Sequence, residues 1–147
     1  MTLRSDRDLL QAAVDLSRLS PPAPTHYAVG AVVTDLAGTV LATGYTGEVE
    51  HFHAEEAALA KLAGAGAALY TSLEPCTFRR SRPRPCTDLI LAAGIRRVVL
   101  ALREPLLFAD CHGVESLRAA GVEVVELPEL APAVRAINAH LLAAPAL

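Results

Sequence analysis

Tryptophan is absent from this chain of 147 residues, aromatic residues make up 4% of it, and it has a single methionine. Large rings therefore do not build its interior. Alanine, leucine and valine must do so, in closely packed layers. Cysteine is also scarce. Three is an odd number, so a disulfide framework would leave one thiol over, and metal or catalytic use in a reducing compartment fits better. No apolar run reaches the ~18 residues of a membrane span. Arg4 and Arg7 lead into no apolar stretch, which excludes a signal-peptide reading. The protein is therefore expected to be cytoplasmic. The formal net charge of -3 gives no basic surplus for general attraction to nucleic acid or membrane.

What is present is apolar: 52% of the residues are hydrophobic. A chain of this size buries about two thirds of its unfolded surface and makes one domain, here residues 1–147, without staples. Ser5 and Asp8 resemble a capping box, and Leu9, Leu10, Ala13, Val14, Leu16 and Leu19 continue an apolar stripe at helical spacing. Pro21, Pro22 and Pro24 end that helix near Arg18. Residues 28–33 and 39–43 read as strands of a hairpin turned by Asp35 and Gly38. Gly30 inside the first strand marks either a bulge or the close approach of another group such as a substrate ring.

Further along, a helix is expected over 53–62, a strand over 67–73, a helix over 87–93 stopped by Gly94, and a strand over 97–102. A helix near 113–120, a strand over 122–127 and an amphipathic helix over 129–142 complete the chain. The back half alternates strand and helix, so right-handed crossovers lay its strands parallel, and the front hairpin adds an antiparallel pair. The expected fold is an α/β/α sandwich of three layers around a mixed five-stranded sheet. The recurring "AAG" at 92–94 and 119–121, with "GAG" at 64–66, reads as similar helix exits.

Four residues carry chemistry. His53 and Glu55 open one helix, Cys76 follows the third strand, and Cys86 opens the next helix. One imidazole and two thiolates suit zinc and leave a fourth position for water, whose pKa the ion lowers. Glu55 stands two residues from His53, close enough to shuttle protons without ligating the metal. First-turn amides of the helix are expected to favour the Cys86 thiolate. A structural zinc site would need a fourth protein ligand, for which His51, Cys111 and His112 are the candidates.

His53-Ala54-Glu55, Glu74-Pro75-Cys76 and Cys86-Thr87-Asp88 together resemble the cytidine deaminase superfamily, whose signature is His-x-Glu followed by Pro-Cys-x-x-Cys. Residues 72–99 (SLEPCTFRRSRPRPCTDLILAAGIRRVV), with 29–33 and 119–127, are similar to the deaminase domain of the bifunctional riboflavin-pathway enzyme. That resemblance covers about residues 6–127. It implies a cytidine deaminase-like fold, a zinc-dependent aminohydrolase, and His53, Cys76 and Cys86 as ligands with Glu55 as acid and base. It also implies that the Ala54 backbone faces the substrate ring and that Val29 and Gly30 floor the pocket. There are departures. Nine residues separate the two cysteines instead of two. His26 stands where the riboflavin group has an asparagine, and residues 103–107 keep little of that group's Asp-Pro-Asn-Pro. No reductase domain follows residue 147, so at most the deaminase half is expected.

The nine intervening residues, TFRRSRPRP, hold Arg79, Arg80, Arg82 and Arg84. They are read either as a solvated charged loop or as a clamp on a substrate phosphate or other anion. Single-stranded nucleic acid is disfavoured because no aromatic stacking row accompanies them. Phe78 stacks on a ring or anchors the loop. His26 and His112 are candidate substrate contacts. Glu74 is expected to offer its backbone carbonyl to the leaving amine. His51 borders the pocket or is solvated, and Cys111 is a buried thiol or an accessory ligand. The substrate is expected to be a small, nucleotide-like heterocycle of riboflavin-precursor type. Cytidine, deoxycytidylate, guanine-type and secondary-metabolite substrates are alternatives, as is a zinc-stabilised binding module without activity. A homo-oligomer, with a dimer favoured, completes the expectations.

Overall fold

A computed structural model of the chain describes residues 5–20, 23, 26–76, 85–103 and 112–142. Helix α1 (Asp6–Ser17) opens as the sequence implies: the Ser5 hydroxyl accepts from the Asp8 amide at 3.1 Å, and Asp6 and Asp8 lie in the first turn. Strands β1 (Gly30–Thr34) and β2 (Val40–Tyr45) form the hairpin. Its turn is held by Asp35, whose carboxylate accepts from the amides of Ala37 and Thr39, both at 2.9 Å. Then follow α2 (Ala54–Leu59), β3 (Ala68–Leu73), α3 (Cys86–Ala92), β4 (Arg97–Leu102), α4 (Gly113–Ala119) and β5 (Glu123–Glu126).

The five strands run in the order β2-β1-β3-β4-β5, with β1 antiparallel to β2 and β3, and β4 parallel to both its neighbours. This is the mixed sheet expected. Alternation along its strands sorts side chains onto two faces. Ala31, Val33, Leu69, Val98 and Leu100 pack with α2, α3 and α4 in one core. Val32, Tyr70, Val99 and Ala101 pack with α1 and the C-terminal helix in the other. Two cores on one sheet make the three layers.

At the end of the sheet where β3 and β4 begin, Arg97 makes a bidentate bond to the Asp6 carboxylate and reaches Glu123 at 2.9 Å. The Tyr70 hydroxyl donates to the same Asp6 at 2.9 Å, so this cluster ties α1 across β3, β4 and β5. The Arg97 guanidinium holds the Asp6 carboxyl below its ordinary range.

Three expectations change. Helix α2 ends at Leu59, three residues early, and turn bonds such as Lys61 N–H to the Ala58 carbonyl follow it. The expected 129–142 helix is a short 3-10 turn (Pro128–Leu130), α5 (Ala131–Ile137) and α6 (Ala139–Leu142), broken at Asn138. Gly30 is neither bulged nor open to a ligand. A Cβ there would lie 1.8 Å from the Ala13 carbonyl oxygen, so the group that approaches is the backbone of α1. Its amide donates to the Ser72 hydroxyl at 3.1 Å, and the irregularity in β1 falls between Val33 and Thr34. The helix exits match the sequence reading at Gly94 (φ 77°) and Gly121 (φ 88°), where left-handed backbone favours glycine. Gly64 and Gly66 adopt no such conformation.

Candidate metal centre

Each metal-site residue arrives from a different element. Tyr45 ends β2, and a tight loop follows in which the Gly47 amide donates to the Phe52 carbonyl and the Phe52 amide to the Val49 carbonyl. His51 takes left-handed backbone (φ 67°) inside that loop. The chain then enters α2 with His53 as its N-cap residue. Gly44 lets α2 settle close on β2, since a Cβ there would lie 2.4 Å from the Ala54 carbonyl oxygen. Cys76 follows the C-terminal end of β3, and Cys86 is the first residue of α3. Among the described residues these bring one possible metal group together: His53, Cys76 and Cys86, with ligand atoms all within 4.8 Å of one another.

The geometry inside the group is directional. His53 presents Nδ1 to both sulfurs, 3.6 Å from Cys76 Sγ and 3.4 Å from Cys86 Sγ. The Cys86 amide donates to Cys76 Sγ at 3.2 Å, and the Thr87 amide to the Cys76 carbonyl at 3.2 Å. The start of α3 thus serves Cys76. A hydrogen bond from the Cys86 thiol, helped by His53, pulls the Cys76 thiol well below its ordinary pKa. A thiolate beside an imidazole and a second thiol is the donor set zinc requires.

Glu55 is buried in the first turn of α2, two residues after His53. Burial raises its carboxyl to about 7, opposed by the nearby His53 and reinforced by Cys76. A carboxyl that titrates near neutrality both takes and gives protons readily. Among the described residues the set has the residue types, proximity and acid–base partner of a catalytic zinc site, with three protein ligands rather than the four of a structural one.

The sequence profile of the cytidine and deoxycytidylate deaminase zinc-binding region matches residues 3–102. The chain belongs to the cytidine deaminase superfamily. It is similar to the riboflavin biosynthesis protein RibD of Aquifex aeolicus, with 40% identity over 81% of this chain and 34% of that protein. It is also similar to the solved diaminohydroxyphosphoribosylaminopyrimidine deaminase/5-amino-6-(5-phosphoribosylamino)uracil reductase of Thermotoga maritima. There the identity is 31% and the TM-score 0.74, over 90% of this chain and 38% of that one. Acinetobacter baumannii RibD superposes with a TM-score of 0.82 at 25% identity, over 94% of this chain and 39% of that one. The chain spans about a third of the length of the curated relatives it matches.

Within this deaminase fold the other expected residues divide. His51 is not in the metal group; its exposed side chain lies 3.4 Å from Glu50. Ala54 is fully buried beside the ligand His53. His26 is half-buried, and its pKa is lowered by burial and then by the charges of His53 and His140. Val29 packs its side chain between the two cores, while its amide donates to the Thr46 hydroxyl at 3.0 Å. The Glu74 carboxylate accepts from the Val114 amide at 2.9 Å and so pins α4 against the Pro75–Cys76 turn. Sequence reasoning offered only its carbonyl. The fit there is close: a Cβ on Gly113 would lie 2.1 Å from the Pro75 carbonyl oxygen. His112 is exposed at the start of α4. Phe78, Arg79, Arg80, Arg82, Arg84 and Cys111 lie outside the described residues. Among the described residues no helix is long and apolar enough to cross a membrane.

Sequence reasoning missed Asn138. It is 0% exposed and holds the backbone leading into β1. A polar residue inside an apolar helical stripe was the available signal.

Proposed function

We propose that this zinc deaminase domain removes the amino group of a phosphorylated ribosylaminopyrimidine, the riboflavin-precursor class named by its relatives. The observation that carries the reading is a buried, near-neutral Glu55 beside the His53–Cys76–Cys86 group. When bound, zinc supplies the Lewis acidity that makes water nucleophilic near neutral pH.

The chain's own residues supply the rest. Water adds to the ring carbon that carries the amino group. Glu55 takes a proton from that water and passes it to the ring nitrogen. It then takes the remaining proton from the added hydroxyl and delivers it to the departing amino nitrogen as the C–N bond breaks, so the products are ammonia and a ring carbonyl. His53 and the two sulfurs fix the metal, and α3 fixes Cys76 through two amides. In this reading Val29 and His26, on the segment before β1, and Ala54, at the start of α2, border the substrate. Arg79, Arg80, Arg82 and Arg84 fall between the two cysteine ligands, a position suited to holding the substrate phosphate. His112 at the start of α4, beside the turn that bears Cys76, is a candidate contact to the ribose or phosphate.

Ammonia release from the phosphorylated ribosylaminopyrimidine, its dephosphorylated form, deoxycytidylate, cytidine and guanine tests this. A preference of about 100-fold or more for the phosphorylated pyrimidine is expected if several charge-assisted bonds hold the phosphate. Equal turnover of the dephosphorylated form would remove the arginine clamp. Turnover of deoxycytidylate alone would move the reading to the cytidine branch of the superfamily. No ammonia from any of them, with four protein groups on the zinc, would make this a binding module.

Thiolate ligands support the reading that the protein works in a reducing compartment such as the cytoplasm. Leu36 (95% exposed) in the turn before β2 and Leu41 on the outer strand β2 itself support a homodimer along that edge, which analytical sedimentation checks.

A further inference from the structure

Asn138 interrupts the C-terminal helical stretch and is completely shielded from water. Its amide oxygen accepts from the Ala28 amide at 2.7 Å, and its amide nitrogen donates to the Ala28 carbonyl at 3.1 Å. The same nitrogen also donates to the Val134 carbonyl at 3.0 Å in the preceding turn of α5. A single side chain therefore satisfies both backbone groups of Ala28, a residue 110 positions away, much as a neighbouring strand would. Among the described residues no strand does so: Ala28 lies just before β1, where sheet pairing has not begun. A buried amide with this many partners is costly to lose and strongly directional.

What Ala28 carries makes the clamp more than packing. Val29, next to it, has its amide and carbonyl held by Thr46, at the start of the loop that leads to His53. His26, two residues the other way, is half-buried on the same segment. We infer that Asn138 is a positioning residue of the deaminase site: by clamping Ala28 it fixes the His26–Val29 segment, which Thr46 ties to the loop that leads to His53, and so makes the C-terminal helices part of the site's architecture. This rests on the proposed reading in one respect, that the His26–Val29 segment borders the substrate.

Three proteins test it: the wild type, Asn138→Ala, and Val134→Ala, which trims a buried α5 side chain without touching Ala28. With the zinc-loaded enzymes, Asn138→Ala is expected to raise KM about tenfold or more while kcat changes much less, because a misplaced pocket wall costs binding first. Val134→Ala is expected to lower the melting temperature and leave KM alone. Independently of activity, the His26 ring resonances should shift in Asn138→Ala and stay in place in Val134→Ala. Ala28 should be among the slowly exchanging amides of the wild type outside the strands and helices. Unchanged KM and unchanged His26 resonances in folded, zinc-loaded Asn138→Ala would overturn the inference. So would a rise in KM of equal size in Val134→Ala. If Asn138→Ala does not fold, rapid exchange of the Ala28 amide in the wild type would overturn the clamp by itself. A wild type that releases no ammonia would refute the proposed function, while the resonance and exchange measurements would still decide the clamp.

Discussion

Glu55 is held where water cannot solvate it, and the arrangement has opposite consequences for chemistry and for stability. Its ordinary carboxyl value is 4.5, and burial raises it to about 7. A carboxylate with a raised folded-state pKa destabilises the fold as pH rises. The penalty is absent below 4.5, where folded and unfolded states are both protonated, grows between 4.5 and 7, and is complete above 7. In the metal-free protein its full size is about 3 kcal/mol. Glu55→Gln should therefore raise the melting temperature of metal-free protein at pH 8 and leave it nearly unchanged at pH 4.5. The same substitution should keep zinc bound and reduce turnover by a factor of about 100 to 10,000, the usual contribution of a positioned acid–base group. Melts of both proteins at the two pH values, beside zinc content and ammonia release, check both halves. A variant that melts lower at pH 8, or that turns over normally with zinc in place, would contradict this role for Glu55.

At the scale of elements, two glycines decide how closely helices lie on the sheet, and they separate packing from the metal site. A Cβ at Gly30 meets the backbone of α1, and one at Gly44 meets the backbone of α2 at Ala54 and Ala58. Neither backbone can rotate aside as a flexible side chain would. Each Gly→Ala substitution should therefore cost about 1–3 kcal/mol through overpacking. Gly44→Ala should also weaken zinc binding, because α2 carries Glu55 and begins at His53, whereas Gly30→Ala should leave zinc affinity intact. Denaturant melts and competitive zinc titration of the two variants make the comparison; equal zinc affinities would show that α2 is not what holds His53 in place. Most of the helices and strands were legible because their apolar periods are strong and their ends are marked by Ser5, Asp35, Gly94 and Gly121. The metal group was legible because ligand chemistry restricts residue type so severely. The approach of α1 to Gly30 was not, since a glycine states that something comes close without stating what. Nor was the break at Asn138, whose cause is a hydrogen-bond partner on the far side of the sequence. The role of the Glu74 carboxylate was not legible for the same reason: its partner, the Val114 amide, lies 40 residues on.

Over the whole molecule, the two ends of the sheet are fastened by different means. Where β3 and β4 begin, the Asp6–Arg97–Glu123 cluster and Tyr70 bind α1 to the strands with the protein's own charges. Beyond the C-terminal end of β3, the parts to be joined are the start of α2, the turn after β3 and the start of α3, each bringing one ligand. Two sulfurs and an imidazole placed within 4.8 Å of one another lose mutual support once no cation draws them together. Zinc that binds only the folded chain stabilises it by mass action, about 4 kcal/mol when free zinc exceeds its dissociation constant a thousandfold. Chelation should therefore lower the melting temperature. It should also speed amide exchange first in α2 and at the start of α3, while α1 and the Asn138-clamped segment keep their protection. Exchange mass spectrometry with and without chelator resolves the two layers. Uniform acceleration across both would mean that the metal governs global unfolding, and no change in either would mean that the three ligands are held by the fold alone.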